Sequence, residues 1–205
     1  MRIICHRGYW QSPSEKNTVE AFQRGFALGL GTETDIRDLN GELVISHDPP
    51  RGATLTFKQL LQITPRSAFL ALNVKSDGIA ASATKDLESF GHQNYVFFDM
   101  SVPDMQPYLR KDMPTAIRLS EYEPWVESLA ERVNTIWLDA FEGVWYSKVD
   151  VEALLDKGYE ILVVSDELHG RDPQEQWTLL ESIRKSDKLT LCTDLPEEAL
   201  KRFCS

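Results

Sequence analysis

The sequence predicts an α/β protein folded as a single (β/α)8 TIM barrel over residues 1–205, and three observations carry that expectation. Strand-like and helix-like stretches alternate from end to end; there are eight such pairs; and 205 residues leave roughly 25 for each, the size of a compact strand–helix unit. An open doubly wound sheet is the competing architecture. It calls for a glycine-rich phosphate loop after the first strand, and "HRGYWQSP" does not supply one.

The strands are read, in order, at "RIICH", "TETDIR", "FLALNVK", "YVFFDMS", "TAIRLS", "TIWLDAF", "EILVVSD" and "LTLCTD", each a short run rich in β-branched, aromatic or aliphatic residues. Helices are expected over residues 18–28, 57–63, 79–90, 102–109, 124–132, 148–157, 173–185 and 196–203. Several start on a polar cap or a proline, as in "SVPDM", "SKVDVEALL", "RDPQEQW" and "DLPEEAL". After the second strand, Asn40-Gly41 lies between two strand-like runs, which predicts a tight hairpin that brings His47 back toward the level of Glu33 and Asp35. Only residues 49–68 then separate the hairpin from the third strand. That leaves room for one short helix and for little or no inserted cap subdomain.

Composition narrows the function. With 42% hydrophobic and 26% charged residues the chain is that of an ordinary globular protein, and no apolar run approaches the roughly 18 residues of a membrane span. The start "MRIICHRGYW" lacks the apolar stretch of a secretory signal, so a cytoplasmic location is expected. Three cysteines, Cys5, Cys192 and Cys204, show no metal-type spacing and are expected as reduced thiols. A net charge of -10 with no basic run argues against nucleic acid as a partner. Residues 1–75 hold 9 Lys/Arg against 7 Asp/Glu, whereas the other 130 residues hold 13 against 25, so an anion is best tolerated in the N-terminal part.

Polar groups at the C-terminal ends of barrel strands form the active site in this architecture. The first strand ends in His6-Arg7-Gly8. The second carries Glu33 and Asp35 two apart, hence on one face, where a core would want Val or Leu. The third does the same with Asn73 and Lys75. A solvated salt bridge to Arg37 would explain Glu33 and Asp35 taken alone, and a lone His near a strand end is ordinarily a hydrogen-bonded bystander. Their conjunction points instead to a hard divalent cation on oxygen ligands flanked by two imidazoles, His6 and His47, that can move protons.

The stretch "CHRGYW...EKNTVEAFQRGFALGLGTETDIRDLNGELVISHD" resembles the glycerophosphodiester phosphodiesterase family, within the barrel phosphodiesterases related to phosphatidylinositol-specific phospholipase C. The likeness lies in the order His-Arg-Gly, Glu-Asn-Thr, an Ala-Phe helix, Glu-x-Asp, a Gly turn and a closing His-Asp over residues 5–48, with an echo in "LCTDLPEEAL". The resemblance implies a metal-dependent phosphodiesterase yielding sn-glycerol 3-phosphate and an alcohol. It implies His6 and His47 as the acid/base pair, Arg7 and Lys75 on the substrate phosphate, and Glu33, Asp35 and Asn73 on the metal, Mg²⁺ or alternatively Ca²⁺. Its partner is a small-molecule phosphodiester.

Two positions depart from the family pattern. Asn73 stands where the family has a third acidic ligand, so an acid elsewhere, with Glu121 and Asp139 as candidates, is expected to compensate or affinity to fall. "SEKNT" puts Lys16 at the usual Glu position and Glu15 one place early. Three alternatives stay open at this point: a lyase forming a cyclic phosphate, a phospho-ligand-binding module with a weakened metal site, and an aldolase-type barrel using Lys75.

Overall fold

The computed structural model describes residues 1–204. The chain is a (β/α)8 barrel; among the described residues there are eight parallel strands, one antiparallel hairpin strand and eight α-helices. In chain order the strands are β1 (Arg2–His6), β2 (Gly31–Leu39), β3 (Glu42–Ile45), β4 (Leu70–Val74), β5 (Tyr95–Phe98), β6 (Ala116–Leu119), β7 (Thr135–Leu138), β8 (Glu160–Val164) and β9 (Leu189–Thr193). The sheet order is β5-β4-β2-β1-β9-β8-β7-β6, with β3 paired to β2 alone. Among the described residues no helix is long and apolar enough to cross a membrane. Two compact units make up the chain: Cys5–Thr115, and Met1–Ile4 together with the segment from Ala116 onward.

In the unit Cys5–Thr115, β2 is nine residues long, and from Gly31 to Ile36 it is buried on both faces. Double burial removes the alternation on which sequence reading relies, which is why only "TETDIR" stood out. β2 pairs in parallel with β4 so that Glu33 lies beside Ala71 and Asp35 beside Asn73, which puts Glu33, Asp35 and Asn73 on one face. The hairpin forms as Asn40-Gly41 predicts: Leu39 faces Glu42, and the two turn residues have φ of 52° and 83°. Beyond it, the Ser46 N–H donates to the Asp35 carbonyl at 3.1 Å, so His47 follows directly after the level of Asp35.

Helix α1 (Val19–Ala27) is capped by Thr18, whose hydroxyl accepts from the Ala21 N–H, and it buries Phe22. α2 (Phe57–Ile63) starts on a reciprocal Thr56/Gln59 capping box and buries Phe57 and Leu60. α3 (Ala80–Phe90) stops at Gly91, which takes the left-handed conformation. α4 (Val102–Leu109) starts on the Ser101 cap. A short 3-10 turn, Pro13–Glu15, was not anticipated, since three residues carry no periodic signal.

In the other unit, β6, β7, β8 and β9 pair in parallel, with Arg118 beside Trp137 and Leu162 beside Thr190. α5 is only Glu127–Ala130 rather than the expected 124–132, because Val126 is extended (φ −117°, ψ 101°) and the Trp125 indole N–H is tied to the Glu127 carboxylate at 2.6 Å. α6 (Lys148–Asp156) starts on a Ser147/Asp150 capping box. α7 (Gln174–Glu181) ends four residues before the expected position and α8 (Pro196–Phe203) matches it. A second unexpected 3-10 turn spans Asp166–His169. Among the described residues no cysteine is in a disulfide; Cys5 and Cys192 are buried and Cys204 is exposed.

Candidate active site

The site is built where β1 ends. Arg7 and Gly8 take left-handed backbone conformations in succession (φ 57° and 81°), which turns the chain sharply off the strand. Gly8 has no alternative: a Cβ there would stand 2.8 Å from the Ala21 backbone carbon and Cβ, where α1 packs against the turn. Arg7 bears the cost of its own strained backbone, on the order of 1–3 kcal/mol, and is held there from both sides. Its N–H donates to the Glu33 carbonyl at 3.0 Å, its carbonyl accepts from the Asn17 N–H at 2.9 Å, and the Gly8 N–H donates to the Thr32 hydroxyl at 3.0 Å.

That clamp aims Arg7 at Asp35. The Arg7 Nε lies 2.8 Å from Asp35 Oδ2, an oxygen that also accepts from the Asn17 amide at 2.9 Å; the Thr34 hydroxyl in turn donates to the Asn17 carbonyl oxygen at 2.8 Å. Lys75 Nζ stands 3.7 Å from Asp35 Oδ1 and 3.5 Å from Asp99 Oδ2. Asp35 is fully buried, and two cations and an amide converge on it. A buried carboxylate is tolerated only with such partners.

Glu33 is differently placed. It is buried, with Oε2 3.9 Å from His6 Nε2, too far for a hydrogen bond. Burial first, and then the negative charge of Asp35, push its carboxyl up to about 7, against the opposing pull of His6, Arg7 and Lys75. Among the described residues, three buried oxygens on this face have no hydrogen-bond partner: Glu33 Oε2, Asp35 Oδ1 and Asn73 Oδ1. An unsatisfied buried acceptor costs about 1–3 kcal/mol, and three together on neighbouring strands form a set of hard oxygen donors that could hold Mg²⁺ or Ca²⁺. Among the described residues no group of three His, Cys, Asp or Glu side chains is arranged to hold a metal; in this set the third oxygen belongs to an amide.

His47 is set apart from the carboxylates. Its ring is half exposed, with Nδ1 2.8 Å from Asp48 Oδ1, and its carbonyl accepts from Arg37 at 3.0 Å. With Arg7, Lys16 and Asn17 it lines a cavity of about 690 Å³. Thus His6, Arg7, Glu33, Asp35, Asn73 and Lys75 form one cluster, and His47 is linked to it through the cavity that Arg7 shares.

Three supporting residues were not singled out from the sequence. Asn17 and Thr32 work through hydrogen bonds to a carboxylate and a turn, which leave no pattern along the chain. Asp99, directly after β5 and with φ 71°, had a readable signal, an acid at the end of the next strand. Glu15 accepts from the Gln11 N–H and from Arg24, both at 2.9 Å, and so braces the loop. The two acids considered as replacements for a third ligand are engaged elsewhere. Glu121 accepts from the N–H groups of Phe141, Glu142 and Gly143, and Asp139 holds Arg118 at 2.6 Å and His169 at 2.8 Å.

No protein-family model matches the sequence, and no curated protein does either. Solved structures do match the fold. A glycerophosphodiester phosphodiesterase from Parabacteroides distasonis superposes with a TM-score of 0.75 at 19% identity, covering 98% of this chain and 95% of that one. One from Thermotoga maritima gives 0.72 at 19% identity over 97% and 96% of the two chains. A phosphodiesterase from Oleispira antarctica, solved with its product sn-glycerol-3-phosphate, gives 0.76 at 16% identity over 100% and 97%. At these identities the likeness is one of fold, and the chain is built on the same barrel as the solved glycerophosphodiester phosphodiesterases.

Proposed function

We propose that this chain is a metal-dependent phosphodiesterase that cleaves a glycerophosphodiester to sn-glycerol 3-phosphate and an alcohol. The observation that carries the reading is the group of three buried oxygens on Glu33, Asp35 and Asn73 that have no hydrogen-bond partner among the described residues, set beside Arg7, Lys75 and His6. A divalent cation bound there, Mg²⁺ or alternatively Ca²⁺, would offset the negative charge that builds on a phosphoryl oxygen as the diester is attacked.

The remaining work belongs to side chains. Arg7 and Lys75 present fixed positive charge to the phosphate, and the strained turn holds Arg7 in place before substrate arrives. One imidazole of His6 and His47 takes a proton from the attacking water, and the other gives a proton to the leaving alkoxide, a service worth roughly 10² to 10⁴ in rate. Asp48 at His47 Nδ1 favours a proton on that nitrogen, which leaves Nε2 as the working atom of the ring. The solved Oleispira antarctica protein holds sn-glycerol-3-phosphate, the product this reading expects.

Phosphorus NMR of purified protein with glycerophosphodiesters and Mg²⁺, Ca²⁺ or Mn²⁺ tests the reading. Release of sn-glycerol 3-phosphate, abolished by chelation and lost in His6→Ala, supports it. A cyclic phosphate would shift the assignment to attack by a substrate hydroxyl. The amide of Asn73 at a carboxylate position favours one second reading, a phosphodiester-binding module, and binding without turnover at every metal concentration would establish that instead.

A further inference from the structure

In the unit that contains β6 and β7, a cavity of about 550 Å³ opens between the loop before α5 and the flank of α6. Its apolar walls are Leu119 and Leu138 at the ends of β6 and β7, the rings of Trp125 and Trp145, and Val151 and Leu154 on α6. The polar groups on it are committed within the chain. The Ser120 hydroxyl accepts from the N–H groups of Tyr122 and Glu123, Glu121 from those of Phe141, Glu142 and Gly143, and the Tyr146 hydroxyl from the Gln176 amide. Both indole N–H groups are spent as well, that of Trp125 on Glu127 and that of Trp145 on the Asp139 carbonyl. An occupant therefore meets mainly apolar surface.

The slot owes its form to α5. That helix has four residues, about 6 Å of axis, beside the nine residues and about 14 Å of α6, and every other described α-helix has at least seven residues. Asp150, Ala153, Leu154 and Lys157, spaced i, i+3, i+4, i+7, turn one face of α6 to the cavity, with too little of α5 to cover it. Such a face ordinarily packs against a neighbouring helix. The rim says what kind. Of six exposed large hydrophobic side chains among the described residues, four (Tyr122, Val126, Trp145 and Val149) fall between positions 122 and 149, and Val126 and Val149 adjoin the lining residues Trp125 and Asp150 in the chain. Residues 120–157 hold 9 Asp/Glu against 3 Lys/Arg, and Glu123, Glu127, Asp150 and Asp156 are exposed. Lys157, the one cation on the wall, is stacked 5.1 Å from the centre of the Trp125 ring. An apolar slot with an acidic rim is complementary to a helix whose apolar stripe is flanked by Lys and Arg.

We propose that this slot docks a basic amphipathic helix of a partner protein, seated along α6 in the space that a longer α5 would fill. Trp145, its indole N–H held and its ring 41% exposed, is the anchor the partner's apolar stripe would cover. None of these residues enters the proposed reaction, so the docking surface stands or falls separately from it.

The test titrates the full chain, by isothermal calorimetry and circular dichroism, with a Leu/Lys peptide about 18 residues long whose Leu residues recur at i, i+3, i+4 and i+7. The expected result is binding with a gain in peptide helicity. A scrambled peptide of the same composition and a Leu/Glu peptide of the same apolar spacing should each bind at least about tenfold more weakly. Ala153→Arg places a cationic side chain in the slot from an exposed helix position, and Trp145→Ala removes the anchor; each should weaken binding at least about tenfold, with Ala153→Arg melting as the wild type does. Equal binding of the scrambled peptide would reduce the attraction to charge alone, and binding that neither variant weakens would place it elsewhere; either result overturns the surface. A wild-type dimer in sedimentation that Ala153→Arg dissociates would assign the slot to a second copy of the chain, and n-octanol bound there with no peptide bound would assign it to a small apolar ligand. Both also overturn the partner helix, whether or not the protein cleaves a glycerophosphodiester.

Discussion

Replacing Asn73 by Asp probes the oxygen set most sharply, because it adds one charge and changes almost nothing in shape. Asp35 and Asn73 are register partners on β2 and β4, and both are buried. Adjacent strands lie about 4.8 Å apart, and at that separation two unit charges in an effective dielectric of about 20 repel by roughly 3.5 kcal/mol. For a chain of this length about 1 kcal/mol corresponds to about 2–4 °C, so Asn73→Asp is expected to melt about 7–14 °C lower than wild type in EDTA. A divalent cation reverses the sign of the new charge's effect. The wild type should gain about 2.7 kcal/mol at a metal concentration a hundred times Kd, or about 5–11 °C, and the variant should gain more. Asn73→Ala gives the control: it removes an unpaired buried acceptor, so its melting point in EDTA should fall less than that of Asn73→Asp, while its metal-dependent gain shrinks. Differential scanning calorimetry with and without 10 mM Mg²⁺, about the scale at which weak oxygen sites fill, reads all three. Identical increments in wild type, Asn73→Asp and Asn73→Ala would refute the reasoning.

Four further outcomes are expected. Gly8→Ala should cost at least about 2 kcal/mol in urea unfolding, since its Cβ has to enter space filled by Ala21 at a backbone angle that disfavours it. His6→Ala and His47→Ala should each lower kcat by roughly 10² to 10⁴ on a glycerophosphodiester while leaving the far-ultraviolet circular dichroism unchanged. Asn17→Ala removes one hydrogen bond from the buried Asp35 carboxylate and should lower the melting temperature by about 2–12 °C and, at temperatures where the protein is still folded, reduce kcat/KM by about tenfold. Glu15→Ala removes the brace on Arg24 and the Gln11 N–H; it should soften the loop, visible as faster hydrogen exchange at Gln11, and leave the metal-dependent melting shift as it is in wild type.

The strand–helix alternation was legible because barrel strands here are short apolar runs and several helices are marked by caps such as Ser101 and Ser147/Asp150. The cluster was legible for a related reason. Charges at every second position of a strand are costly, and Glu33 and Asp35 stand out against the aliphatic background they replace. What stayed hidden depends on contacts across the chain. Asn17 reaches Asp35 from eighteen residues away, and the closeness of Ala21 that demands a glycine at position 8 exists only once α1 has packed. α5 was overestimated because Trp125 and Val126 suit a helix by pattern, whereas the indole bond to Glu127 and the extended Val126 backbone start it later. Glu121 and Asp139 had the right residue type and position for metal work, and only the structure assigns them to backbone N–H groups and to Arg118 and His169.

The central claim is that Glu33, Asp35 and Asn73 together hold one divalent cation, and anomalous diffraction from crystals soaked in Mn²⁺ addresses it most directly. The account predicts a single strong peak within about 2.0–2.3 Å of Glu33 Oε2, Asp35 Oδ1 and Asn73 Oδ1. A protein that cleaves phosphodiesters but shows no peak there, or one bound by other side chains, would contradict it.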